Sequence, residues 1–76
     1  MPPRFRELKA YCEKNGWVLI RQTDHYYYDE KVLADGTVLR TRVSMALHKE
    51  IPRQLWKRIL SRQLRVTEEE FWRGLH

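Results

Sequence analysis

Few residues in this 76-residue chain are suited to chemistry, and the histidines lead them. His76 is the last residue, where chain ends fray, and is set aside. His25 follows Thr23-Asp24 and precedes Tyr26-Tyr27-Tyr28, while His48 stands in the segment from Ser44 to Ile51. Two histidines without a clear third ligand do not make a metal-site pattern, so neither a metal nor another cofactor is expected. A histidine can nevertheless act alone on RNA. The ribose 2′-hydroxyl is a nucleophile carried by the substrate, so the protein must supply only proton transfer and charge stabilisation. Imidazole is the side chain that changes charge near neutral pH, and arginines beside it would hold the scissile phosphate. The plain alternative is a half-exposed, inert strand residue, and spacing alone favours that alternative for His25.

The neighbours of His25 carry similar pairs of readings. Asp24 is expected to serve a turn through its side chain rather than to orient the imidazole. Strand alternation puts Tyr26 and Tyr28 on one face and Tyr27 with His25 on the other. Tyr27 is then placed to stack an unpaired base, and Tyr26 and Tyr28 are expected to pack in the core. Arg21, Arg40 and Arg42 come from neighbouring strands, with Arg53, Lys57 and Arg58 on a later helix. They read either as a phosphate-binding patch or as an ordinary solvated face.

Composition narrows the partners. Lys and Arg number 15 against 10 Asp and Glu, a formal charge of +5, and most of the cations are Arg, which grips phosphate in two places at once. Such a field suits nucleic acid, an anionic membrane or an acidic protein, and it also serves solubility. Apolar residues make up 42% of the chain, enough for a core, which excludes a disordered segment. Cys12 is the only cysteine, so no internal disulfide and no cysteine-based metal site is expected, in keeping with a reducing cytosol. Met1-Pro2-Pro3-Arg4 leads into no long apolar run, so a cytoplasmic protein with no membrane partner is expected.

These residues need elements to hold them. Phe5, Leu8 and Cys12 recur at helical spacing, and Asn15-Gly16 ends that helix. Trp17 to Gln22 reads as a strand, Thr23-Asp24 as a tight turn, and His25 begins a second strand. Asp35-Gly36 marks a hairpin into a third strand, Thr37 to Val43, with Leu39, Thr41 and Val43 on one face and Val38, Arg40 and Arg42 on the other. Pro52 opens a second helix striped by Leu55 and Ile59, and Thr67-Glu68-Glu69-Glu70 is a capping box ahead of a short last helix. The expectation is a two-layer α+β domain, with helices on one face of a three-stranded antiparallel sheet and a short extra C-terminal helix. Its α-β-β-β-α order matches the double-stranded-RNA-binding-like fold.

From Asn15 onward the sequence resembles the HicA family, the mRNA interferase toxins of bacterial and archaeal toxin–antitoxin pairs. The likeness rests on Asn15-Gly16-Trp17 through Arg21-Gln22 to His25, on Asp35-Gly36, on His48-Lys49-Glu50-Ile51-Pro52, and on Leu55 to Leu60 with Thr67 to Phe71. It spans nearly the whole chain, read as one HicA-like domain over residues 1–76. The resemblance implies a double-stranded-RNA-binding-like fold, metal-independent endoribonuclease action on mRNA that blocks translation and growth, and inhibition by a HicB-type antitoxin. It puts the catalytic histidine at His25. On this reading Arg21, Arg40, Arg42 and Lys49 hold phosphate and His48 assists RNA binding. Two departures stand out: Thr23-Asp24 replaces the family's glycine before the histidine, and Ser44-Met45-Ala46-Leu47 replaces a Val-Pro-rich run. Glycine admits a phosphate close to the backbone and an acidic residue repels one. The alternatives are therefore a catalytically inactive RNA-binding module of the same fold, or a domain whose basic face docks an acidic protein.

Overall fold

The first helix, α1 (Phe5–Lys14), starts where Glu7 Oε1 accepts the Arg4 N–H at 2.7 Å, leaving Leu8, Tyr11 and Cys12 on its buried stripe. It stops at Gly16, whose φ of 81° lets the chain reverse and the Trp17 N–H return to the Cys12 carbonyl at 3.1 Å. The computed structural model describes all 76 residues. Three strands follow: β1 (Val18–Gln22), β2 (Tyr26–Val32) and β3 (Val38–Ser44), paired antiparallel in the order β1-β2-β3. Next come α2 (Arg53–Arg58), running directly into a π-helical stretch (Ile59–Leu64), and α3 (Glu68–Leu75). The expected α+β layout, with helices on one face of an antiparallel meander, is what the chain adopts.

On β3, Leu39, Thr41 and Val43 are buried, while Val38, Arg40 and Arg42 face water, as alternation requires. Their partners in register put Tyr27, Asp29 and Lys31 on the helix-covered face and Tyr26, Tyr28, Glu30 and Val32 on the open one. The expectation that Tyr26 and Tyr28 pack in the core is thus wrong. The helices settle on the face of Leu39 and Val43, and the two tyrosines are left on the other. Strand β1 carries a bulge at Ile20, so that Leu19 pairs with Asp29 but Arg21 pairs with Tyr28. One extra residue inverts the alternation and turns Arg21 to the open face.

Two other expectations shift. His25 does not begin β2 but lies in the turn before it. The Thr23 hydroxyl accepts the N–H groups of His25 (3.4 Å) and Tyr26 (3.2 Å), and the Thr23 N–H donates to Tyr26 O (2.9 Å), which closes the turn on Tyr26. The second helix widens after Arg58 into π geometry, in which Ile59 and Leu64, five residues apart, are both buried. Arg65, left-handed at φ 55°, ends it, and Thr67 and Glu70 exchange the hydrogen bonds of the expected capping box at 3.1 and 2.8 Å.

The core centres on Phe71, wholly buried in α3. Its ring lies 4.7 Å from Tyr11 on α1, 4.7 Å from Trp56 on α2 and 5.2 Å from Trp72. α3 approaches α1 closely because residue 74 is glycine: a Cβ there would lie 2.7 Å from the Tyr11 ring. Asn15 Nδ2 also donates to the Gly74 carbonyl at 3.1 Å. No helix is long and apolar enough to cross a membrane. Phe71→Ala removes the ring that joins three helices and is expected to cost about 3–5 kcal/mol, much of the stability of a domain this small. Urea denaturation measures it, and a loss below about 1 kcal/mol would mean the helices do not depend on that ring.

Candidate functional site

The open sheet face carries two adjacent rings flanked by two cations. Arg21 Cζ lies 4.4 Å from the centre of the Tyr28 ring, and Arg42 Cζ lies 4.4 Å from that of Tyr26. The two tyrosine rings are 6.1 Å apart and inclined at 61°. Arg21 and Arg42 are not on adjacent strands, as expected, but flank β2 from its two sides, with the tyrosines between them. Neither guanidinium has an acidic partner, whereas Arg40 Nε is paired with Glu30 Oε2 at 3.0 Å. Of the three arginines, then, Arg21 and Arg42 keep free charge for a ligand, and each keeps its N–H edge while stacked on a ring.

His25 lies in the turn that leads into β2, exposed, with no hydrogen bond from its side chain. Its carbonyl accepts the Met45 N–H at 3.0 Å, which ties its turn to the segment leaving β3. Asp24 is exposed too, and its carboxylate makes no hydrogen bond to the imidazole or within the turn; the Thr23 hydroxyl has the role expected of it. The segment after Met45 is clamped to the start of α1. Phe5 and Arg6 N–H groups donate to the Lys49 and Leu47 carbonyls, both at 3.0 Å, and the Ile51 N–H donates to Pro3 O at 2.9 Å. The Arg4 guanidinium donates to the carbonyl of His48, whose side chain is exposed in the turn.

The structure thus groups some of the expected residues and separates others. Lys49, Arg42 and Tyr26 line one cavity, and Arg58 of α2 joins them there. Arg53 and Lys57 line a different depression with Trp56 and Glu68. Tyr27, expected to stack a base, faces the helices instead, with Lys9 Nζ 4.3 Å from its ring centre. Tyr26 and Tyr28 are the half-buried aromatic residues of the open face beside the cations. The sequence signal for them was alternation, which grouped the pair without revealing which face the helices would cover.

One titratable cluster lies inside. Asp29 is 4% exposed, between α1 and the sheet. Burial raises its carboxyl pKa, opposed by the Lys9 ammonium and the Cys12 thiol and reinforced by Glu13. Cys12, 1% exposed, has its thiol pKa pushed far up, first by burial and then by Asp29, so it is no nucleophile. His, Cys, Asp and Glu side chains gather nowhere in groups of three able to hold a metal. Comparison of the chain with protein-family models, curated proteins and solved structures gives no match.

Because its folded pKa is raised, ionised Asp29 opposes folding above that value, and the opposition fades as pH falls toward the ordinary carboxylate range. Asp29→Asn is therefore expected to stabilise the domain at neutral pH and to remove one component of the loss of stability as pH rises out of that range. Denaturation midpoints of both proteins across the acidic range measure this. A variant less stable than the parent at neutral pH would show that the ionised carboxylate contributes favourably.

Proposed function

We propose that the chain is an RNA-binding domain acting as a metal-independent endoribonuclease of the HicA toxin type, with single-stranded mRNA held on the open sheet face and His25 serving as general acid or base. The observation that carries the reading is the row Arg21–Tyr28–Tyr26–Arg42, whose Tyr26 directly follows His25 in the chain. Half-exposed tyrosines flanked by arginines without ion-pair partners offer stacking for bases and charge for phosphates. In the reaction the ribose 2′-oxygen attacks phosphorus and the bond to the 5′-oxygen breaks. A 2′,3′-cyclic phosphate and a 5′-hydroxyl result, and the imidazole takes one proton or gives the other. Arg42 and Lys49, which line one cavity, would hold the phosphate, Arg21 would extend the grip across the sheet, and Arg40 would contribute less because Glu30 already holds it. The resemblance adds the double-stranded-RNA-binding-like fold, growth arrest by cleavage of mRNA in the cytoplasm, and a HicB-type antitoxin as the inhibiting partner.

A second reading, an RNA-binding module without catalysis, is favoured by one observation: exposed Asp24 precedes His25, whose side chain has no partner to orient it. His25→Ala separates the two. In the first reading it lowers cleavage of a single-stranded RNA in the presence of a chelator by about 10²–10⁴-fold and relieves growth arrest, with RNA affinity retained. Equal cleavage by both proteins would remove His25 from the mechanism. RNA bound by both but cut by neither would establish the second reading.

A further inference from the structure

The largest cavity, about 420 Å³, lies between β3 and α2, and its walls differ in kind. Leu55 and Ile59 give it an apolar floor, and Tyr26 contributes an aromatic wall. Arg42, Lys49 and Arg58 bring three cations to it against one carboxylate, that of Glu50, and none of the three is in an ion pair. Its volume lies in the range of small-ligand sites. An inorganic anion would leave the floor unused, and an apolar molecule would leave the cations unmatched. A flat ring system bearing negative charge satisfies both, and a nucleotide of the proposed RNA strand is such a group. The cavity also adjoins the turn of His25: Tyr26 follows that residue in the chain, and Ser44, another wall residue, precedes Met45, whose N–H bonds to the His25 carbonyl.

We infer that this cavity takes one unpaired nucleotide of the RNA strand, its base against Tyr26 and the apolar floor and its phosphate among Arg42, Lys49 and Arg58. The inference rests on the proposed RNA-binding function and specifies its substrate class. A base engaged in a duplex cannot enter a cavity of this size with its partner, so the site selects single-stranded or looped-out RNA. Gln63, on the cavity wall, accepts the Thr41 hydroxyl at its Oε1 (2.6 Å), which fixes the amide and leaves its N–H₂ to donate. With the Glu50 carboxylate as acceptor, the cavity presents both hydrogen-bonding senses to a base edge.

The test uses the whole chain and a short unstructured RNA, 2′-O-methylated so that it cannot be cleaved, alone and annealed to its complement. Tyr26→Ala removes a half-exposed ring outside the core, and Arg58→Ala an exposed cation, so neither is expected to disturb folding. Arg53→Ala, on the same helix but facing the other depression, is the control. The expected result is single-stranded affinity about tenfold lower for Tyr26→Ala, a log–log salt slope smaller by about one for Arg58→Ala, and near-parental binding for Arg53→Ala. The duplex should bind more weakly and be insensitive to Tyr26→Ala. Parental affinity and salt slope in both Tyr26→Ala and Arg58→Ala, with RNA still bound, would overturn the cavity and leave the proposed interface standing. Duplex binding as tight as single-strand binding would overturn the substrate class. A parent chain with no affinity for either RNA would instead overturn the proposed function itself.

Discussion

The Phe71 ring touches Tyr11, Trp56 and Trp72, and through them it gathers the three helices to a single point. A chain of this length has apolar surface for one core only. Once α1, α2 and α3 converge on Phe71 over Leu39 and Val43, nothing remains to cover the other side of the sheet. That side exposes Val18 (62%) and Val32 (63%) and carries the half-buried Tyr26 and Tyr28. The open sheet face is therefore a consequence of where the core is built.

An uncovered tyrosine face is a liability in water unless something polar lies on it. Arg21 and Arg42 do so here, each resting on a ring. The magnitudes matter. An exposed cation–π contact contributes about 0.5–1 kcal/mol, whereas stacking of a nucleic-acid base on an aromatic side chain contributes about 1–3 kcal/mol. On the proposed reading a base could displace the guanidinium from the ring, and the displaced cation would be free to meet the phosphate that arrives with the base. The contacts that cover the rings are individually weak.

Much of the fold was legible because its signals are local. Asn15-Gly16 ended α1, Asp35-Gly36 turned the hairpin, alternation sorted β3, and Thr67 with Glu70 capped α3, each through contacts within a few residues. What was not legible depends on partners far along the chain. The bulge at Ile20 exists only in the pairing of β1 with β2, and without it Arg21 would face the helices. Which tyrosines are exposed depends on the side to which α1 and α3 dock. Their aromatic character argued for the core, and an arginine resting on each ring supplied the other solution. Asp29 was hidden for the opposite reason: its charge argues for exposure, while its register opposite Thr41 puts it inside. Of the site residues, His25, Lys49 and the three arginines were visible as types in the sequence. Tyr26 and Arg58 gained their place only when the fold brought positions more than thirty apart to one cavity.

His25 is held by its backbone and not by its side chain. Thr23 fixes the turn, and the Met45 N–H fixes the carbonyl. The imidazole itself has no hydrogen-bond partner, so nothing in the free protein selects its tautomer or its direction. A histidine oriented by a buried carboxylate carries its geometry with it; this one would have to acquire it from the bound strand. If His25 transfers protons, its efficiency then depends on how firmly Tyr26, Arg42 and Lys49 hold the nucleotide beside it, since misplacing the reacting atoms by even an ångström is costly to the rate. On that reading binding and chemistry would not be separable on this surface. The grip of the cavity on the strand is what would turn an exposed, unoriented histidine into a positioned one.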